Sequence, residues 1–197
     1  MKIKIKKILF ILIIIFGFNN NVFTSENLFL GDSQAKITVK VFSSLTCPHC
    51  ADFHSEVFEK LKNEFIDKKI VRFEHHGFPL DLAALNAEKI LRCTNSKEKS
   101  FSLLNKIYRD QNKWAIGTDI NKINVSIMEI GLKANLNKDK MKNCLIDEKI
   151  QDQILDERIE AQKKYKISST PSIFINEKKY EGKLNYKDFK KHLNKLL

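Results

Sequence analysis

The stretch SSLTCPHCADFH, residues 43–54, places two cysteines two residues apart with Pro48 and His49 between them. Such a pair can be a structural staple, half of a metal site, or a redox centre, and each needs different surroundings. Just upstream, KITVKVF (36–42) alternates Ile37, Val39 and Val41 with Thr38 and Lys40, the period of a half-buried strand. Downstream, Phe53, Val57, Phe58, Leu61 and Phe65 recur as one face of a helix. The cysteines therefore sit where a strand ends and a helix begins. Pro48 suits the first helical position, because its missing N–H would have no partner there. Cys47 then falls at the N-cap, with backbone N–H groups and the positive end of the helix dipole directed at its sulfur. Both favour the thiolate, which is the nucleophile. His49 beside it adds charge or a hydrogen bond. Cys50, one turn further in, is placed to attack a mixed disulfide on Cys47.

The other two readings fare worse. A two-residue spacing closes a very small loop, so crosslinking it constrains the unfolded chain little. A metal site would draw on His75 and His76, but adjacent residues of a strand point to opposite faces, so at most one could join the thiolates. No second C-x-x-C completes four ligands. No metal and no cofactor are expected, and at least one of the two histidines should lie at the surface.

Beyond the motif, KIVRFEHH (69–76) reads as a second strand, closed by Gly77 and Pro79. Segments near 81–93, 97–113, 123–135 and 138–147 carry helical periodicity, and a long helix is expected over 148–165 with Ile150, Ile154, Leu155 and Ile159 inward. SIFIN (172–176) and KKYEG (178–182) form a hairpin turning at Asn176 and Glu177. A last helix uses Tyr186, Phe189, Leu193 and Leu196. A βαβ half and a ββα half thus enclose a helical insertion, an α/β arrangement in one domain. The boundaries follow: 26–80 and 149–197 for the two-part domain, and 81–148 for the insertion.

Composition limits the function classes. The chain has 197 residues, 43% hydrophobic and 30% charged, with a net charge of +11. Only Arg72, Arg92, Arg109 and Arg158 are arginines, and no basic cluster or recognition motif appears, which argues against nucleic acid. Lys2, Lys4, Lys6 and Lys7 precede the apolar run ILFILIIIFGF (8–18), shorter than the ~20 residues a membrane span needs. Residues 1–25 are read as a secretory signal, with an uncleaved anchor as the alternative because no A-x-A cleavage signature follows. Without them 31 basic residues face 24 acids, a charge of +7. Export changes what the cysteines mean, since oxidising compartments permit disulfides.

The order of elements, the C-x-x-C and the Thr170–Pro171 before the hairpin resemble the thioredoxin fold. Within it, CPHC, the signal segment and the helical insertion resemble the DsbA family of exported thiol:disulfide oxidoreductases. GDSQAKITVKVFSSLTCPHC (31–50) and HHGFPLD (75–81) also look like stretches of DsbA-like proteins. The resemblance implies a central mixed sheet flanked by helices, with a bacterial periplasmic location. It makes Cys47 the exposed reactive sulfur and Cys50 its buried partner, with Pro48 and His49 tuning the pair toward an oxidant. Thr170–Pro171 becomes a cis-proline loop facing the disulfide, where Thr170 backbone groups pair with a client strand. Clients would be reduced or unfolded exported proteins, and a DsbB-like membrane protein would reoxidise a monomeric enzyme. Disulfide isomerase or reductase activity is the near alternative, and a non-catalytic metal-binding or chaperone module the distant one. One departure stands out. Many members carry a buried acid six residues before the first cysteine, and that position here is Val41. Some members carry a second disulfide in the helical region, which implies Cys93–Cys144. From the residues alone, two buried free thiols remain the alternative.

Overall fold

The computed structural model describes residues 28–197, so the N-terminal segment read as a signal lies outside the described residues. Strand β1 (Leu28–Leu30) is followed by β2 (Ile37–Ser43), β3 (Val71–Gly77), β4 (Ser172–Ile175) and β5 (Lys178–Lys179). They form one sheet in the order β1-β3-β2-β4-β5. β2 and β3 run parallel at its centre, while β1, β4 and β5 join antiparallel. A right-handed crossover is the usual way to join two parallel neighbours. Here the connection begins at α1 (Pro48–Phe53), passes through a π-helical turn at His54–Phe58 and α2 (Glu59–Leu61), and ends in a second π turn at Lys62–Ile66. The wider π turns let neighbouring pairs Val57–Phe58 and Phe65–Ile66 all become buried.

Register explains how the two sheet faces divide. Ile37 pairs with Val71, Val39 with Phe73, Val41 with His75 and Ser43 with Gly77. The apolar members of these pairs pack into the main core with Phe53, Phe58, Leu61 and the insertion helices. The alternate residues, Phe42 and Phe174, build a second core with Phe78, Ala161 and Ile167 on the other face.

Between β3 and β4 lie α3 (Leu82–Arg92), α4 (Lys97–Arg109), α5 (Gln111–Trp114), α6 (Ile120–Lys133), α7 (Lys138–Ile146) and α8 (Glu148–Tyr165); α9 (Tyr186–Asn194) ends the fold. Side-chain oxygens cap most of their N-termini, as at Asp81, Ser96, Asp119, Asn137, Asp147 and Asn185. Cys93 at the end of α3 and Cys144 on α7 are joined by a disulfide, with Cα atoms 6.2 Å apart. The hairpin turns at Asn176 and Glu177, both at positive φ (47° and 67°), as a type I′ turn demands.

Several elements differ from the sequence expectation. β1 is an additional strand on the outer edge of β3. The helix expected over 97–113 breaks at Asp110 into α4 and α5. Ile159 and Leu196, expected inward, are 43% and 42% exposed. Ile159 shares its helix with Ile154 (0% exposed), but the stripe that α8 lays on the sheet is narrow. Neither histidine of β3 is a surface residue. His75 is 4% exposed, and His76 is partly buried, stacked on Phe42.

Candidate functional site

The Cys47–Cys50 pair stands at the C-terminal end of β2, where the chain turns into α1. Cys47 has extended backbone and is the N-cap, with Pro48 at the first helical position. Its carbonyl accepts from the N–H groups of Cys50 and Ala51 at 3.1 and 3.2 Å. Gln111 on α5 clamps the same turn, its Nε2 donating to the carbonyls of Leu45 (2.8 Å) and Cys47 (3.1 Å). Thr46 donates to the Asp81 carboxylate at 2.7 Å, tying the loop to the start of α3. The two sulfurs differ sharply in exposure. Cys47 is partly exposed, whereas Cys50 is 1% exposed.

Opposite Cys47 lies Thr170–Pro171, joined by a cis peptide bond. The Cys47 thiol donates to the Thr170 carbonyl at 3.4 Å. Two loops 123 residues apart in sequence thus meet at one sulfur.

The electrostatics separate the pair further. The Cys47 thiol is lowered from 9.0 to about 5, chiefly by the hydrogen bond that Cys50 donates. Burial opposes this shift, while the Thr170 side chain and the backbone N–H groups of Cys50 and His49 support it. Cys50 is pushed far up, first by burial and then by Cys47. Near neutral pH the reduced pair therefore holds one thiolate at the surface and one thiol inside.

His49 places its ring differently from the sequence expectation. Its backbone N–H supports the thiolate, but its imidazole is turned outward, 81% exposed, with Nδ1 3.7 Å from Asp52. A His49→Ala protein is therefore expected to keep most of the Cys47 depression, measured by thiolate absorbance against pH. A titration returned close to 9 would show that the ring carries the effect.

A buried polar cluster behind the pair escaped the sequence reading. His75 Nε2 lies 3.2 Å from Glu88 Oε2, both nearly inaccessible. Arg92 flanks Glu88 at 3.7 Å and forms a two-pronged bridge to Glu157 on α8. Burial opposes ionisation of Glu88, yet His75 and Arg92 hold its carboxyl below the usual range. His54 Nε2 is 2.5 Å from Asn105 Oδ1, and burial lowers its pKa to about 4, so the ring is neutral. Glu88 lies on the inward stripe of α3, and a charged residue there was the one available signal. His76 pairs with Glu74, and both histidines of β3 are thereby committed away from the cysteines. Among the described residues no group of three or more His, Cys, Asp and Glu side chains gathers as a metal cage would.

A cysteine at a helix N-terminus, a buried partner cysteine one turn on and a facing cis-proline loop, on a five-stranded mixed sheet, make up a thioredoxin-like arrangement. The thioredoxin family model matches residues 24–195, and the chain belongs to that family. Within it the chain is DsbA-like. It is 29% identical to Wolbachia pipientis alpha-DsbA1, with a TM-score of 0.80 over 87% of this chain and 91% of that one. Disulfide bond formation protein D of Bacillus subtilis is 28% identical over 85% of this chain and 76% of that protein. A candidate protein-disulfide oxidoreductase of Rickettsia bellii is 30% identical over 77% of this chain but 57% of that protein. The chain thus spans little more than half the length of such rickettsial relatives. Among the described residues no helix is long and apolar enough to cross a membrane.

Proposed function

We propose that this chain is an exported thiol:disulfide oxidoreductase that donates a Cys47–Cys50 disulfide to folding proteins. The observation that carries the reading is the asymmetry of the pair, a Cys47 thiol lowered to about 5 beside a buried Cys50 thiol. A stabilised thiolate stabilises the reduced form, so the disulfide is readily passed on. That favours an oxidase over a reductase or isomerase.

In the reaction a client thiolate attacks Cys47, and the electrons of the broken bond pass to Cys50. A second client thiolate then attacks the mixed disulfide and releases Cys47 as its stable thiolate. The Thr170 backbone, already within reach of the Cys47 sulfur, supplies the edge against which an extended client segment pairs. On this reading residues 26–80 and 149–197 form the redox domain, 81–148 its helical insertion and 1–25 the export signal. Reduced exported proteins are the clients, and a quinone-linked membrane protein is the reoxidant. The test is direct. Oxidised protein mixed with a reduced two-cysteine peptide should yield the peptide disulfide and reduced enzyme in equal amounts. A protein that left the peptide reduced, yet unscrambled a misoxidised substrate, would be an isomerase instead.

The same thiolate gives a pH signature. Unfolding returns Cys47 to about 9, so its contribution to the reduced fold is fully present above that pH and is lost as pH falls through about 5. Cys50, held as a thiol, opposes this only above its unfolded value, near 9. The melting temperature of the reduced protein relative to the oxidised one should therefore rise from about pH 4 to about pH 8. A difference that stayed constant over this range would contradict a depressed Cys47.

A further inference from the structure

Two carbonyls of the redox turn, those of Leu45 and Cys47, converge on one nitrogen, Gln111 Nε2, at 2.8 and 3.1 Å. An amide nitrogen carries two hydrogens, so it can donate to both oxygens at once. The reversed amide would press its own oxygen against two carbonyl oxygens, so the pair it meets fixes its orientation. Thr46, between the two, donates to Asp81 Oδ2 at 2.7 Å. Residues 45–47 are thus each held by a side chain from the cap of α3 or from α5. Gln111 arrives there because α4 ends at Asp110, whose backbone (φ −99°, ψ 14°) leaves the helix and starts α5. Trp114 anchors that short turn, being 1% exposed with Nε1 donating to the Ile107 carbonyl at 2.9 Å. Asp110 pairs with Arg109 and Lys113 at 3.3 and 2.9 Å, so the charges beside Gln111 are met locally. The Cys47 carbonyl also accepts from the N–H groups of Cys50 and Ala51, so one oxygen closes the first turn of α1 and receives the clamp.

We propose that Gln111 is a positioning residue for the redox pair, holding the Leu45 and Cys47 carbonyls so that the first turn of α1 stays aimed at the Cys47 sulfur. The inference rests on the oxidoreductase reading above. Gln111 acts through the backbone and not on the sulfur. The N–H groups that support the Cys47 sulfur, those of Cys50 and His49, belong to the turn it fixes. Its two donors also offset the negative end of the Cys47 carbonyl, which covalent geometry keeps close to the same residue's thiolate. That charge exists only in the reduced protein. Support for it therefore favours the reduced form and makes the disulfide the stronger oxidant.

Gln111→Met keeps the length of the side chain and removes both donors. Gln111→Glu keeps its shape but turns acceptors toward two carbonyls. Gln111 is half-buried on a short surface helix, so both variants are expected to fold. If Gln111 only pins α5 to the turn, the oxidised and reduced forms lose melting temperature equally and the Cys47 titration stays where it was. A positioning role moves more than that. Thiolate absorbance against pH should place the Cys47 midpoint of Gln111→Met about one pH unit above wild type, and that of Gln111→Glu higher still. The equilibrium constant against glutathione should fall by the same factor, about tenfold for Gln111→Met, which is ~30 mV. The gap between the reduced and oxidised melting temperatures should narrow with it. Variants with the wild-type titration and equilibrium constant would overturn the inference alone. A wild-type Cys47 titrating near 9 would overturn the proposed function and the inference together.

Discussion

A Cys47→Ser protein is expected to lose thiol oxidation below detection while remaining folded. Oxygen at this position cannot form the disulfide that a client attacks. Nor can Cys50 take over, since at 1% exposure no client sulfur can reach it. The variant gives up the thiolate's contribution to the reduced form but stays folded, because Cys47 is partly exposed and its backbone carbonyl, which holds the turn, is unchanged. Cys50→Ser should fail in a different way. Cys47 can still accept a client in a mixed disulfide, but nothing attacks from inside to release it, so clients accumulate on the protein. Non-reducing electrophoresis of the two variants after exposure to an oxidised peptide separates them, with adducts for Cys50→Ser and none for Cys47→Ser. Wild-type peptide oxidation by the Cys47→Ser protein would remove the pair from the chemistry.

Loss of the Cys93–Cys144 disulfide should produce the largest change in stability. The bond closes a loop with a sequence separation of 51, and the chain-entropy account gives about 4 kcal/mol for such a loop. A Cα separation of 6.2 Å lies inside the range that a disulfide spans without moving the backbone. The bond ties the end of α3 to α7, so its loss frees the insertion rather than the sheet. Paired Cys93→Ala and Cys144→Ala changes avoid leaving an unpartnered hydroxyl at sites 3% and 9% exposed. For a chain of this size, 4 kcal/mol corresponds to a melting-temperature drop of roughly 10 °C. Peptide oxidation at moderate temperature should change little, since neither residue lies near Cys47. An unchanged melting temperature would mean that the reduced chain is already constrained, or that the bond is absent in solution.

The alternation of Ile37, Val39 and Val41 and the Pro48 after Cys47 were enough to locate the strand-to-helix corner, because both signals are local. The insertion helices were visible for the same reason, through apolar residues at three- and four-residue spacing. What the sequence hid is what long-range pairing decides. β1 has three residues and earns its place only by pairing with Leu28 opposite His75 and Leu30 opposite Phe73. Asp110 breaks a continuous helical pattern because Lys113 and Arg109 hold its side chain at the junction. Gln111 and Glu88 carry no motif; the contacts they make exist only once α3 and α5 are folded over the end of β2. His49 is a case in which position in sequence did not give side-chain direction. Its place between the cysteines suggested a charged neighbour for Cys47, but α1 points the ring at solvent and leaves its N–H to act.

The reduction potential of the Cys47–Cys50 pair tests the central claim most directly. Equilibration with glutathione buffers of graded ratio, read by mass spectrometry after alkylation, gives the value. With the Cys47 thiol lowered to about 5, the potential should lie nearer the ~−120 mV of the oxidase DsbA than the ~−270 mV of thioredoxin. A value at or below about −270 mV would make the pair a reductant and contradict the account.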